Sequence, residues 1–440
     1  MSTDRSSAQG AARRDAYAAL RYPEFVCLIG GSFLLTLGMQ IQQIALAYEI
    51  YLATRDPLSL GLIGLAEALP FISLALFGGH VADRFDKRRI LQISIAVMLL
   101  ASLLLAVISW PPVRAQLSQH AWLILAYSTI AVLGFARGFY SPAMSSLRAF
   151  LIPRAVYGNG ATWSSTFWQA GAILGPMAGG LIYAASSLSA SLVVVVVLLL
   201  GVQLMLLRVK PRPVVASPNA QEDIWTSLRE GLRYVRGTPV IFYALLLDML
   251  TVLFGGVVAI LPVFAEDILK VGPEGLGVLR SAPAVGAMLT IIACAYFPPL
   301  RHAWRNMLYA VLGFGAATLM FALSTNLWLS VAALFLTGAF DSVSVVVRNT
   351  ILQIMPPDHL RGRVQAVNSI FVSTSNEIGA FESGLAAKLM GTVPSVIFGA
   401  VVTLGLTADT WRRTRALLGI RLDAEHLATQ EAAKEIAEKN

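Results

Sequence analysis

The chain is 440 residues long, 56% hydrophobic and only 13% charged, with a mean hydropathy of +0.69. That leaves too little polar side-chain surface to coat a water-soluble globule of this size, so a lipid bilayer is the expected solvent. The net charge of +8 does not mark a nucleic-acid-binding protein, because the basic residues lie in short loops between apolar runs and form no continuous face.

In chain order, apolar runs fall near 25–50, 58–80, 90–109, 121–143, 161–184 and 188–207, then 239–264, 274–297, 306–324, 327–347, 365–388 and 392–409. Each is about 20 residues, enough to cross ~30 Å of hydrocarbon as a helix. The expected fold is therefore all-α, with about twelve transmembrane helices. Residues 1–21 are polar and basic, and the first run is too long for the core of a signal peptide, so it is expected to stay in the membrane. Most of the 33 Lys and Arg fall in the loops of one side, with both termini; only Arg55, Arg114, Lys270 and Lys388 occupy the loops of the other. The positive-inside bias then predicts cytoplasmic termini and an even number of crossings.

A longer connection at 208–238 divides the runs six and six, predicting bundles over 22–207 and 239–411, with a tail at 412–440. The connection begins with Pro211, Pro213 and Pro218. It continues with Ile224, Leu228, Leu232 and Val235 at helical spacing opposite a charged face, which predicts an amphipathic interfacial helix. The two halves also echo one another. Gly134, Gly175 and Gly180 recur 204 residues later as Gly338, Gly379 and Gly384, and the Pro57, Leu60, Gly61 pattern recurs 216 residues later as Pro273, Leu276, Gly277. Such offsets suggest a duplicated six-helix unit related by an axis along the membrane normal.

Two motifs stand out. GHVADRFDKRR, carrying Gly79, Asp83, Arg84, Lys87, Arg88 and Arg89, lies between the second and third runs. Its glycine suits close helix approach and its basic run suits anchoring on the cytoplasmic side. The fifth run carries Gly171, Gly175, Pro176, Gly179 and Gly180, in which small residues permit helix contact and the proline a bend.

The first motif resembles the G-x-x-x-D-R-x-G-R-R signature of the major facilitator superfamily, with Asp86 replacing the second glycine. The second resembles the glycine-proline motif of that superfamily's drug and proton antiporters. Together with MPPDHLRGRV at Met355–Val364, they look most like the branch of enterobactin-type siderophore exporters and macrolide efflux proteins. The resemblance implies two pseudo-symmetric six-helix bundles rocking about a central site, with proton influx driving export of a small organic molecule. It also implies that Asp83 latches against the start of the eleventh helix near Arg361 and Arg363, holding the cytoplasmic gate shut. Residence in the cytoplasmic membrane as a monomer is expected, with a small-molecule substrate and a coupling proton as partners. A solute importer of the same architecture and a non-transporting membrane protein are the alternatives.

Charge inside a membrane span costs about 2.5–3.5 kcal/mol per residue near the helix centre, so each instance needs a cause. The candidates for a substrate or coupling cavity are Glu67, Arg137, Asp248, Arg280, Asp341, Glu377 and Glu382. Arg137 and Asp341 occupy equivalent places in the two repeats, suggesting a pair across the bundles or two faces of one aqueous cavity. Cys27 and Cys294 have no metal or CxxC spacing, and the five histidines form no HExxH. No cofactor and no enzymatic activity are expected.

Overall fold

The computed structural model describes residues 15–211 and 224–422, and within these leaves undescribed the side chains of 75–80, Ala82, Asp83, Ala149, Ile224, Trp225, Ser227 and Asp358. Twelve long helices form its body. In the first half they are α1 (Pro23–Thr54), α2 (Pro57–Arg84), α3 (Lys87–Ile108), α4 (Gln119–Phe150), α5 (Tyr157–Ala185) and α6 (Leu188–Leu207). In the second half they are α7 (Pro239–Gly255), α8 (Gly272–Tyr296), α9 (Ala303–Leu323), α10 (Leu327–Ile354), α11 (Asp358–Met390) and α12 (Thr392–Arg413). The 32 residues of α1 extend about 48 Å at 1.5 Å per residue. Most helices outrun the apolar runs by several residues. The termini of the described chain share one end of the bundle, here the terminal end; the opposite is the far end.

The α6 sequence shows why the solvent is lipid. Leu192, Val195, Leu199 and Val202 are buried against neighbouring helices, while Val193, Val197, Leu200 and Leu204 stand exposed on the other face. A helix apolar all round, with one face outside the protein, requires an apolar surrounding. Ten of the twelve helices are long and apolar enough to span a membrane. The other two, α5 and α11, are as long but rich in polar and small residues, α5 in Gly, Ser and Thr and α11 in Ser, Asn and charge. They lie where the halves meet, α5 against α8 and α11 against α2, so polar residues there face protein or the cleft between the halves.

Backbone contacts bear out the duplication. A side chain at Gly134 on α4 would strike the α2 backbone at Glu67, and one at Gly338 on α10 would strike the α8 backbone at Pro283. Glu67 and Pro283 are themselves 216 residues apart, the offset of the α2 and α8 motif. Across the halves, Gly180 of α5 lies against Pro273 and Gly277 of α8, while Gly384 of α11 lies against Pro57 and Gly61 of α2. Each contact is the image of the other under a pseudo-twofold axis.

The second half departs from this symmetry at the end of α7. Gly255, Gly256 and Pro262 break the helix, and the chain continues through a 3-10 turn at Val258–Ile260 to a π-helical turn at Phe264–Ile268. Carbonyls freed by the break are met by side chains: Ser383 Oγ donates to Gly256 O at 2.7 Å and Arg280 Nη1 to Val258 O at 3.1 Å.

The connecting helix spans Ile224–Gly237. Leu228, Leu232 and Val235 pack into the core of the second half with Val364 and Val367 of α11. Glu230 pairs with Arg363, and the Tyr234 hydroxyl donates to Met355 O at 3.2 Å. The apolar face thus covers the start of α11.

Candidate functional site

Three of the predicted charges converge midway along the bundle. Gly134 lets α4 lie close on α2, and Arg137, one turn further on, reaches Glu67 with Nη1 at 2.7 Å from Oε1. Gly64 does the same for the opposite half, since a side chain there would meet Ala380 of α11 at 2.8 Å. That approach brings Glu377 within 3.5 Å of the same Arg137 nitrogen. The guanidinium also lies over the Phe71 ring, 4.8 Å from its centroid, a cation-π contact. Arg137 therefore bridges a carboxylate of its own half and one of the other, and its side chain remains 45% exposed to the cleft. The group carries two negative charges and one positive. Its partners are Glu67 and Glu377, and not Asp341, the residue that the repeat suggests.

A second contact between the halves uses Arg280, whose Nη2 donates to Gln43 Oε1 of α1 at 2.9 Å. Beside it, Ser281 Oγ donates to Ile173 O of α5 at 2.9 Å.

Asp248 and Asp341 lie elsewhere, within the second half, together lining a small enclosed cavity with Thr251, Phe314, Phe340 and Ser344. Asp248 forms a buried ion pair with Arg348 of α10. Removing one member of such a pair strands the other charge, so Asp248→Asn should lower stability by about 3–5 kcal/mol. Adding Arg348→Gln should restore most of it, as read by thermal unfolding of the purified variants. Glu382 is on α11, five residues beyond Glu377 and around the helix from it.

The far end is closed by groups outside the predicted set of intramembrane charges. Arg55 bridges Glu266 Oε1 at 3.3 Å and Asp267 Oδ1 at 3.1 Å, both on the π-helical turn of the other half. The Tyr48 and Tyr51 hydroxyls donate to Glu266 and Asp267. Lys388 of α11 meets Asp56 at 2.5 Å, and the Tyr183 hydroxyl donates to Glu49 at 2.5 Å. The available signal was scarcity: Arg55 and Lys388 are two of only four basic residues in the loops of that side. Among the described residues, side-chain hydrogen bonds and ion pairs join the two six-helix bundles from mid-bundle to this end.

The loop between α2 and α3 is shaped by its departure from the resembled signature. Asp86 has φ −60° and ψ 112°, a backbone that needs no glycine, and its carboxylate accepts from Arg88 N at 2.9 Å, capping α3. Arg88 donates to the last carbonyls of α6, Leu206 O at 3.3 Å and Leu207 O at 3.2 Å, while Lys87 sits over the Phe150 ring. Arg84 and Arg89 are exposed. The side chains of Gly79 and Asp83 lie outside the described residues. In the second motif, Gly171, Gly175 and Gly179 face α1 at Thr36, Gln40 and Ile41, and the Pro176 carbonyl lies against Gly277 of the other half.

Residues 28–380 match the family model of the Major Facilitator Superfamily. The multidrug efflux pump Tap of Mycolicibacterium fortuitum is 25% identical over 382 residues, covering 83% of this chain and 91% of the pump. The enterobactin exporter EntS of Escherichia coli O1:K1 is 23% identical over 384 residues, covering 85% and 88%. Among solved structures, the nucleoside transporter NupG superposes with a TM-score of 0.70 at 13% identity, covering 88% of this chain and 98% of that one. A bacterial homologue of the lysosomal transporter Spinster superposes with a TM-score of 0.69 at 15% identity, covering 91% and 99%. With the family model spanning most of a chain folded as two pseudo-symmetric helical bundles, this multi-pass membrane protein belongs to the Major Facilitator Superfamily of transporters.

Proposed function

We propose that the protein exports a small organic molecule across the cytoplasmic membrane in exchange for protons, by alternating access. The observation that carries the coupling is the Glu67, Arg137, Glu377 group, which joins the halves across the centre and holds one more negative than positive charge. A proton taken by Glu377 removes that excess and weakens its hold on Arg137. The proton is taken while the far end is open and the halves are apart there, is carried inward as the far end closes, and is released toward the terminal end, which restores the charged contact. The direction rests on the two relatives, named as an efflux pump and an exporter, and an amphipathic drug or siderophore is the corresponding substrate class.

The basic terminal end is assigned to the cytoplasm, which makes the closed far end the external gate and the present conformation inward-open. Asp83, at the end of α2, is assigned the latch that closes the terminal end against the start of α11. In this conformation Arg363 of that region is held by Glu230. Both halves of the pathway lie in one chain, so a monomer suffices.

The test is transport of fluorescent amphipathic dyes in inverted membrane vesicles carrying the protein. Accumulation that collapses when the imposed pH gradient is discharged is expected. Movement in the opposite direction would identify an importer, and insensitivity to the gradient would reject proton coupling.

A further inference from the structure

A cavity of about 530 Å³ opens in the terminal half of the first bundle, between α1, α4 and α5. Its size falls within the range of small-molecule sites, and neither coupling nor the far-end gate uses it. It is lined by Arg148, four serines including Ser164, the aromatic Tyr157 and Trp168 and a few small or apolar residues, with no carboxylate among them.

Two of these groups lack partners among the described residues. Arg148 Nε is buried without a hydrogen bond, and so is the hydroxyl of Ser164, a residue only 5% exposed. A buried donor left unmatched costs about 1–3 kcal/mol, more when it is charged. Arginines at the cytoplasmic ends of membrane helices commonly serve as topological anchors with their heads in water. Arg148 instead has its Nε buried in the protein, at a cavity it shares with a hydroxyl that is also unsatisfied. Arg137 is matched by two carboxylates and Arg280 by Gln43 and the Val258 carbonyl, while the Nε atoms of Arg305 and Arg348 are also unbonded but neither residue lines this cavity.

Access is provided by the way the halves diverge. α5 touches α8 from Ile173 to Gly180, whereas Ala161, Ser165 and Trp168, nearer the terminal end of α5, are exposed. The pocket thus opens on the wide side of the cleft. A carboxylate, phosphate or acidic phenol would accept hydrogen bonds from Arg148 and Ser164, while its ring or apolar body stacks on Trp168.

We propose that this pocket binds the anionic group of the transported solute, selecting aromatic or apolar anions, with Arg148 as the charge-recognising residue and Ser164 as its supporting donor. The inference rests on the export reading for its physiological meaning, but its test does not.

The full chain in lipid nanodiscs is titrated calorimetrically with 1-naphthoate and with 1-naphthamide, matched rings that differ in charge. The wild type should bind naphthoate about tenfold or more tightly than naphthamide, the scale of a hydrogen bond to a charged group. Arg148→Gln should erase that preference while leaving naphthamide binding unchanged, and Arg148→Lys should keep part of it. Should Arg148→Gln lose both probes through misfolding, Ser164→Ala should weaken naphthoate alone. Equal binding of the two probes by the wild type, no measurable binding of naphthoate, or an unchanged preference in the variants would overturn the pocket. Failed export in vesicles with an intact naphthoate preference rejects the transport reading alone. Intact export with no preference for the anion rejects the pocket alone.

Discussion

Arg137→Gln is expected to abolish gradient-driven transport while the protein still inserts in the membrane. Without the guanidinium, Glu67 and Glu377 face each other across the centre with no compensating charge, which destabilises this arrangement by less than the ~3–5 kcal/mol of a fully buried pair, because the group is partly exposed. Two routes relieve the repulsion, and each stops the cycle. Permanent protonation of a carboxylate removes the group that exchanges protons, and separation of α2 from α11 removes the contact that holds the far end closed. Arg137→Lys keeps the charge but replaces the planar guanidinium over the Phe71 ring with a shorter, more strongly hydrated ammonium, so it should retain a fraction of the activity. Glu67→Gln combined with Arg137→Gln should restore thermal stability toward that of the wild type without restoring gradient-driven transport. The checks are dye efflux under an imposed pH gradient and the melting temperature of each purified variant. Full activity in Arg137→Gln would remove this group from the mechanism.

Gly180→Leu is expected to have a comparably large effect through shape alone. Gly180 meets the Pro273 and Gly277 backbone of the opposite half, where no flexible side chain can give way. Overpacking costs about 1–3 kcal/mol, occasionally more, and here the cost falls only on conformations in which the far end is closed. An energy of that size shifts the ratio of the two states by about 5- to 150-fold. With Cys27 and Cys294 changed to Ser, a single cysteine at Gln43, on the inner side of the far-end gate, serves as reporter. A charged maleimide added from the far side should label it about tenfold or more faster in Gly180→Leu than in its parent, and transport should be lost. Labelling at the parent's rate would mean that the glycine contact does not control closure.

The features legible in the sequence are those that lipid imposes locally. α6 is readable as a run because both of its faces are apolar, one against protein and one against hydrocarbon. α5 and α11 are readable from their length and glycine patterns, although their polar content puts them outside the usual apolarity criteria for a span. The repeat was visible at Gly180 and Gly384 because backbone contact between the halves tolerates no side chain at either place. The hidden features all depend on approach in three dimensions. Arg137 could not be matched with Glu67 and Glu377 from spacing, because their meeting is set by how closely Gly64 and Gly134 let three helices come. Symmetry pointed instead to Asp341, whose cavity belongs to the second half alone. The far-end gate depends on the π-helical turn after α7, which carries Glu266 and Asp267 to Arg55, and nothing in the local pattern announces that turn. Arg148 is one of the many basic residues near the loops of the terminal end, and burial of its Nε is a tertiary property with no local signal.

The central claim is that the two halves rock as bodies, the far end closing as the terminal end opens. Spin labels at Gln116 and Lys270 report the width of the far end, and labels at Arg154 and His359 report the terminal end; all four residues are exposed. Pulsed electron paramagnetic resonance on both pairs, in the cysteine-free parent and with Gly180→Leu added, measures the two widths directly. The substitution should lengthen the far-end distance and shorten the terminal-end distance together. Two distances that lengthen in the same variant, or a far end that widens while the terminal end stays fixed, would contradict rocking about a shared centre.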